Sequence, residues 1–424
     1  MKKVSLATVF LVVLVDLIGF GIVLPLLPFY AGEFNATPVA IGLLYSIYSV
    51  AQLIFSPIWG SLSDRIGRRP IMLFSTFGAV IAYIIFGFAG SLTVLFLSRL
   101  IAGVMGGNIS TAQAYIADAT TPENRARGMG LIGAAFGIGF VMGPAIASGL
   151  IHPEFQAFFE NNGFNEFAGW METNRFGLPG FFAAFLSFSS FLLVLFKLPE
   201  TVDKTKKKTA VPIARPTVFT TTFWQNISRQ KHESGSSILY LLLFASFLLS
   251  FGQASLYSAF PLFCEAVLDM SPEQVGIQFF YIGLIAVIVQ GGLIKPLTRW
   301  FNEKNLFLTG NILMTLGLAA ITFAGSISML TFFLAVMALG HSLNLPTMSS
   351  LISQESDPQN VGAMMGTAQG LSGLGRAIGP TWGGFLFSVS FGLPFIATAT
   401  VMLATVYIGL RLTGIIQQGK KKVV

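Results

Sequence analysis

Long apolar runs fill most of the chain, cut apart by short polar or Gly/Pro turns. The first extends from about Ser5 to Pro28. Others follow at about 39–59, 71–90, 92–114, 129–151, 178–197, 236–262, 273–296, 305–324, 327–347, 361–387 and 392–412. A helix needs roughly 20 apolar residues to cross a bilayer core. The pattern therefore predicts twelve transmembrane helices in an all-α integral membrane protein. The first run follows Lys2 and Lys3 and is too long for the core of a signal peptide, so it reads as a spanning helix rather than a cleaved leader.

Composition agrees. Of 424 residues, 54% are hydrophobic and only 10% charged, and the mean hydropathy of +0.74 lies well outside the soluble range. The net charge of +7 reads as a basic cytoplasmic face, not as a nucleic-acid surface. Cys264 is the single cysteine, which excludes an intramolecular disulfide, and no Cys/His cluster forms a metal site. No cofactor is expected. No nucleophile–base set or phosphate loop supports an enzyme.

Basic residues set the orientation. With the N-terminus inside, cytoplasmic segments carry Lys2, Lys3, Arg65, Arg68, Arg69, Arg125, Arg127, the KTKKK run at 204–208, Arg215, Arg229, Lys231, Lys295, Arg299, Lys304 and Lys420–Lys422. Outside loops hold one basic residue, Arg175, among many acids such as Glu33, Glu154, Glu160, Glu166, Glu172, Glu265, Asp269 and Glu273. Both termini are therefore expected inside. The basic connection from Pro199 to about Ser236 reads as a linker between halves, with contact to anionic lipid as a second reading. Its Asn226-Ile227-Ser228 sequon lies on the wrong side for glycosylation. The external connection His152–Gly177 is acidic and aromatic. It fits either a lid over the outer mouth or an insertion packed on the membrane surface.

The halves are related. GIGFVMGP, ending at Gly143-Pro144, recurs as GLGRAIGP, ending at Gly379-Pro380, an offset of 236 (379 − 143). At that offset Pro122 meets Pro358, Asn124 meets Asn360, Met129 meets Met365, Gly130 meets Gly366 and Pro25 meets Pro261. Two six-helix halves in parallel orientation are the plan of a rocking carrier, with its substrate site near mid-membrane. The expected divisions are 1–198, a linker 199–235, and 236–424.

The run Gly60–Pro70, GSLSDRIGRRP, concentrates charge in Asp64, Arg65, Arg68 and Arg69, with Gly60 and Gly67 to let the backbone turn. Its G-x-x-x-D-R-x-G-R-R spacing resembles the signature loop between the second and third helices of the major facilitator superfamily. That resemblance implies the twelve-helix major facilitator fold and places functional weight on Asp64 and Arg68. Physically, Asp64 is held by arginines and by the positive N-terminus of a neighbouring helix, with Asp118 as a further partner. Such a cluster is expected to latch cytoplasmic helix ends in the outward-facing state; the plain alternative is arginines that only fix the loop inside. The second-half turn IKPLTRWFNEK keeps Arg299 but has Thr298 at the Asp64 position.

Gly139-x-x-x-Gly143-Pro144, with Gly149, is similar to the antiporter motif of drug:proton exporters in that superfamily. Small residues allow close helix approach and proline bends the helix, so a hinge or seal is expected there and at Gly379-Pro380. LSRLIAGVMGG at 97–107 resembles the fourth-helix motif, with Arg99 inside the span. Asp16 is the one carboxylate deep in a span, in a first helix that resembles that of tetracycline/proton antiporters. A carboxylate whose ionisation depends on water access or a cation suits proton coupling; the plainer reading is that it neutralises a nearby positive charge. In the second half, Gln253 and Tyr257, His341 and Asn344, and Gln369 and Arg376 share helix faces and are candidates for a polar cavity lining, or for helix–helix hydrogen bonds.

The expectation is a proton-coupled exporter of small amphipathic compounds such as drugs, a bacterial inner-membrane monomer among lipids, binding no nucleic acid. A proton-coupled uptake symporter is the alternative in the same fold, and a receptor or lipid scramblase the alternative of another class.

Overall fold

The computed structural model describes residues 6–120, 122–202, 218–221, 223–225, 237–357 and 360–414. The N-terminal and C-terminal lysines, the 204–208 run, the Asn226 sequon and Pro358 lie outside the described residues, as do the side chains of Asn124, Arg125 and Arg127. The described secondary structure is helical: α1 Leu6–Gly32, α2 Pro38–Ile66, α3 Arg68–Gly87, α4 Leu92–Met105, α5 Asn108–Ala119, α6 Pro122–Ile151, α7 Pro153–Asn161, α8 Asn165–Thr173, α9 Gly177–Lys197, α10 Ser237–Leu268, α11 Pro272–Ile288, α12 Ile294–Trp300, α13 Glu303–Ile321, α14 Ile327–Glu355, α15 Val361–Val389 and α16 Leu393–Leu412.

Eleven spans among the described residues are long and apolar enough to cross a membrane, counting α4–α5 as one and α11–α12 as another. The twelfth, α15, has the length at 29 residues. Its glycines together with Gln369, Ser372 and Arg376 dilute its hydropathy. Most spans run past their apolar cores: α2, expected to end near residue 59, continues through Asp64 to Ile66. Prolines sit inside α1 (Pro25 and Pro28), α2, α6, α10, α14 and α15. Helix-packed surroundings make this tolerable, because neighbouring groups can satisfy the carbonyls that proline frees.

Two departures matter for the site. The charged run at 60–70 is not an open turn. Gly60 is helical, and the only break is Gly67, whose φ of +115° a side-chain-bearing residue would rarely adopt. The fourth span, expected continuous over 92–114, is instead broken at Gly106-Gly107. A π turn, Val289–Leu293, likewise joins α11 to α12 across Gly291-Gly292.

Contacts gather the chain into two compact units. One comprises residues 1–37, 47–215 and 270–280, the other 38–46, 216–269 and 281–424. In the first, α1 packs most extensively on α6 and α3 on α9; in the second, α10 on α15 and α13 on α14. Small residues make the closest of these approaches. A Cβ placed on Gly143 would lie 2.5 Å from Gly21 Cα, and one on Gly379 would lie 2.6 Å from the Phe251 carbonyl oxygen. The two motif copies thus do the same job within their own units, letting backbones meet where side chains would force them apart. Gly149 has open space around it and takes no part in this contact.

Candidate coupling and latch sites

The first site grows from the break at Gly106-Gly107. Interrupting a helix inside the membrane frees carbonyls that lipid cannot satisfy, and side chains of the neighbouring helices supply the missing donors. Trp59 Nε1 donates to Val104 O at 2.6 Å, Gln52 Nε2 to Gly106 O at 3.0 Å, and Ser75 Oγ to Met105 O. The glycines are needed sterically as well, since a Cβ on Gly107 would sit 2.6 Å from the Trp59 ring. The break also places Asn108 at the first position of α5, where its Nδ2 donates to Asp16 Oδ2 on α1.

Asp16 is half-buried, and its other oxygen, Oδ1, is shielded from solvent with no hydrogen-bond partner among the described residues. It borders a cavity of about 40 Å³ lined also by Phe20, Tyr48, Tyr83, Met105 and Asn108. That is room for a water, which a buried polar group with an unused acceptor would hold. Phe20 extends the aromatic wall, with its ring 5.1 Å from Tyr48 and 5.9 Å from Phe140.

Arg99 is buried at 2% exposure. Its guanidinium lies 5.1 Å from the Phe86 ring centroid and 6.0 Å from that of Tyr83, a cation–π environment that offsets part of the burial cost. Tyr83 is therefore common to both groups: it lines the Asp16 cavity and carries Arg99 near its ring. Its hydroxyl also lies against Gly19, one turn along α1 from Asp16, where a Cβ would stand 2.7 Å away.

The second site is the charged cluster at the α2–α3 junction. Arg68 is buried at 7% exposure. It pairs through Nη1 with Asp64, donates from Nη1 to Ser63 Oγ at 2.7 Å, and donates from Nε to Asp118 Oδ2 at 2.9 Å. Ser63 Oγ in turn donates to Gly60 O at 2.8 Å. Arg69 Nη2 reaches the Leu195 carbonyl at the end of α9 at 2.6 Å, while Arg65 is exposed.

Sequence reasoning missed the residue that completes this cluster, Glu200. Its carboxylate accepts from the backbone N–H of Arg68 at 2.9 Å and Arg69 at 3.2 Å, and from Thr201 and Val202 at 3.0 Å each. It thus caps the N-terminus of α3 from a distant segment, where Gly67 offers no side chain to do so. Asn108 was missed for a different reason. Its signal was legible, because Gly-Gly-Asn inside an apolar span marks a discontinuous helix.

In the second unit, Gln253 hydrogen-bonds the Tyr257 hydroxyl, and Arg376 lies near enough to act on that hydroxyl electrostatically. These three candidates come together. Asn344 instead is fully buried against α13, donating to Asn311 Oδ1 at 3.4 Å with Gly310 beside it. His341 is half-buried with Nδ1 unbonded among the described residues, and Gln369 is exposed. The degenerate loop holds no counterpart of the Arg68 cluster: Thr298 bonds back to the Ile294 and Lys295 carbonyls of its own helix, and Arg299 is exposed.

A helical membrane protein in two related halves, with ionisable groups held inside its spans, is a secondary carrier by construction. The Major Facilitator Superfamily model matches residues 9–303 and again 293–422. The chain belongs to the major facilitator superfamily, a family of transporters and not of enzymes. It is 28% identical over 386 residues to the class B tetracycline resistance protein of Escherichia coli, covering 90% of this chain and 86% of that one. It is 26% identical over 420 residues to multidrug resistance protein 1 of Bacillus subtilis, covering 97% and 96%. Among solved structures, a bacterial homologue of the human lysosomal transporter Spinster, inward-facing and occupied, superposes with a TM-score of 0.78 at 15% identity, covering 96% of each chain. That likeness is one of fold.

Proposed function

We propose that this transporter exports small amphipathic compounds, drugs among them, in exchange for protons, and that Asp16 is the group that takes up and releases the proton. One observation carries the reading: Asp16 keeps an unused, solvent-shielded oxygen beside a water-sized cavity, with Asn108 fixing its other oxygen. A carboxylate so placed gains or loses its charge according to whether water or a cation can reach it, which is what coupling demands. Arg99 supplies a fixed positive charge near the ring of Tyr83, which also lines the Asp16 cavity. Tetracycline and multidrug resistance relatives support export of drug-like solutes, and the intact Gly139-x-x-x-Gly143-Pro144 motif favours antiport over uptake.

Gln253, Tyr257 and Arg376 are the proposed substrate contacts, with His341 and Gln369 as further members of the same lining; Asn344, buried in the α13–α14 contact, is not one of them. Gly60, Asp64, Arg65, Gly67, Arg68, Arg69 and Asp118 form the proposed conformational latch. Gly139, Gly143, Pro144, Gly379 and Pro380 form the proposed hinge and seal. Alternating access is rocking of 1–198 against 236–412. The protein acts as a monomer in a bacterial inner membrane, with both termini cytoplasmic. The reading is tested in inverted membrane vesicles energised to an acid interior, by adding a panel of amphipathic compounds and following proton release. Release that depends on the protein and on the compound supports antiport; counterflow with no pH signal points to facilitated diffusion.

A further inference from the structure

The segment expected as a lid or a surface insertion folds as two nine-residue helices, α7 and α8, joined through Gly163 at φ +83°. Each is amphipathic in the same way. Phe155, Phe158 and Phe159 in α7, and Phe167, Trp170 and Met171 in α8, fall at i, i+3 and i+4 and so share one face. Met171 and Ala168 are buried and fasten α8 to the rest of its unit. Phe155 and Phe159 are half-buried, while Phe158 and the neighbouring Phe164 are each 60% exposed, Phe167 is 41% and Trp170 is 38%. Glu154, Glu160, Glu166 and Glu172 occupy other positions around the two helices and are exposed to water.

These rings continue directly onto the membrane-spanning surface. Phe155 meets Phe159 at 5.3 Å, Phe159 meets Phe167 at 4.9 Å, and Phe167 stacks on Trp170 at 5.8 Å. Trp170 then meets Phe181 of α9 at 5.8 Å, and Phe181 meets Phe88 at the end of α3 at 4.7 Å. Phe88 is 72% exposed, and Phe185 and Phe188, further along α9, are exposed as well. On a spanning helix such side chains face hydrocarbon. An unbroken aromatic strip therefore leads from the lipid-facing side of α3 and α9 to the apolar face of the hairpin.

We propose that the α7–α8 hairpin is an interfacial anchor, seated in the bordering leaflet with Phe158, Phe164, Phe167 and Trp170 at the headgroup level. Aromatic side chains favour that depth, where an apolar ring and a polar edge are both accommodated. Residues 153–173 contain no Lys or Arg and four glutamates. Binding is therefore apolar rather than electrostatic, which separates it from basic amphipathic helices that need anionic lipid. The anchor fixes the outer end of α9, and with it the first unit, relative to the membrane plane.

The test uses the full chain reconstituted in phosphatidylcholine vesicles. Nitroxide labels are placed by Phe158→Cys and Phe164→Cys, and for comparison by Glu160→Cys and Glu166→Cys. The native Cys264 is fully buried, so labelling falls on the introduced thiol. The expected result is that labels at 158 and 164 collide several-fold more with oxygen relative to a water-soluble nickel chelate than labels at 160 and 166, at low and high salt alike. Two results overturn the proposal. Equal nickel access at all four positions places the hairpin in water, and labels at 158 and 164 shielded from both reagents place it under protein, as a lid or against a second copy.

Discussion

Arg68 Nε donates to Asp118 Oδ2 at 2.9 Å while the same guanidinium pairs with Asp64 and bonds Ser63, so one buried side chain ties together the ends of α2 and α5 and the start of α3. Asp64 and Asp118 are partly solvent-exposed, and Coulomb attraction alone would be worth little there. Directed hydrogen bonds from a planar, buried fork are worth more.

Arg68→Lys is therefore expected to behave more like Arg68→Ala than like the native protein. A lysine keeps the charge but cannot make three bonds in fixed directions. Each variant should lose about 1–3 kcal/mol, the worth of one or two charge-assisted hydrogen bonds. Thermal melting in detergent checks this, and a lysine variant as stable as the native chain would reduce the cluster to a charge that fixes topology.

Glu200→Ala removes acceptors for four backbone N–H groups and should cost about 0.5–2 kcal/mol, in the range of a lost helix cap. Glu200→Gln keeps one acceptor oxygen and should lose less. The same melting series separates them.

The α1–α6 contact predicts a contrast between three glycines. Gly21→Ala and Gly143→Ala each push a Cβ into the facing backbone, and should cost about 1–3 kcal/mol as overpacking. Gly149→Ala, with open space around it, should stay within about 0.5 kcal/mol of the native stability. Equal loss at Gly143 and Gly149 would show that the close approach does not matter.

Much of the fold is legible in the apolar runs, because membrane length and backbone satisfaction leave a chain few choices. The spans are placed by that pattern, while the Arg68–Asp64–Asp118 cluster is pointed to by its charge together with the resemblance of its loop to the major facilitator motif. What escaped depends on packing register. On the 236 offset Gly21 would answer to Tyr257, yet Gly143 closes on Gly21 and Ile22, whereas Gly379 closes on Phe251, Ala254 and Ser255. The first helix of the second half is thus set about one turn differently, and the Pro25–Pro261 match is not one of structural position. Glu200 escaped because its partners are backbone amides 131 and 132 residues away, which carry no residue-type signal. For Asn344 the sequence leaves cavity lining and a helix–helix hydrogen bond both open, and Gly310 opposite leaves a slot that draws its amide into the α13–α14 contact.

Arg376→Ala and Tyr257→Phe should each weaken substrate binding by more than they lower protein abundance, because Gln253, Tyr257 and Arg376 form one polar cluster, whereas Asn344 is buried in the α13–α14 contact. Paired binding and expression measurements decide this. Parallel loss of both quantities would make the cluster structural.

The central claim is that Asp16 carries the proton. The most direct measurement compares native protein with Asp16→Asn in vesicles, following both proton-driven accumulation of a transported compound and its counterflow without a gradient. Asparagine keeps the size and the hydrogen bond to residue 108 but cannot titrate. The account predicts that accumulation and proton release are abolished while counterflow persists. Full proton-driven accumulation by Asp16→Asn would contradict it.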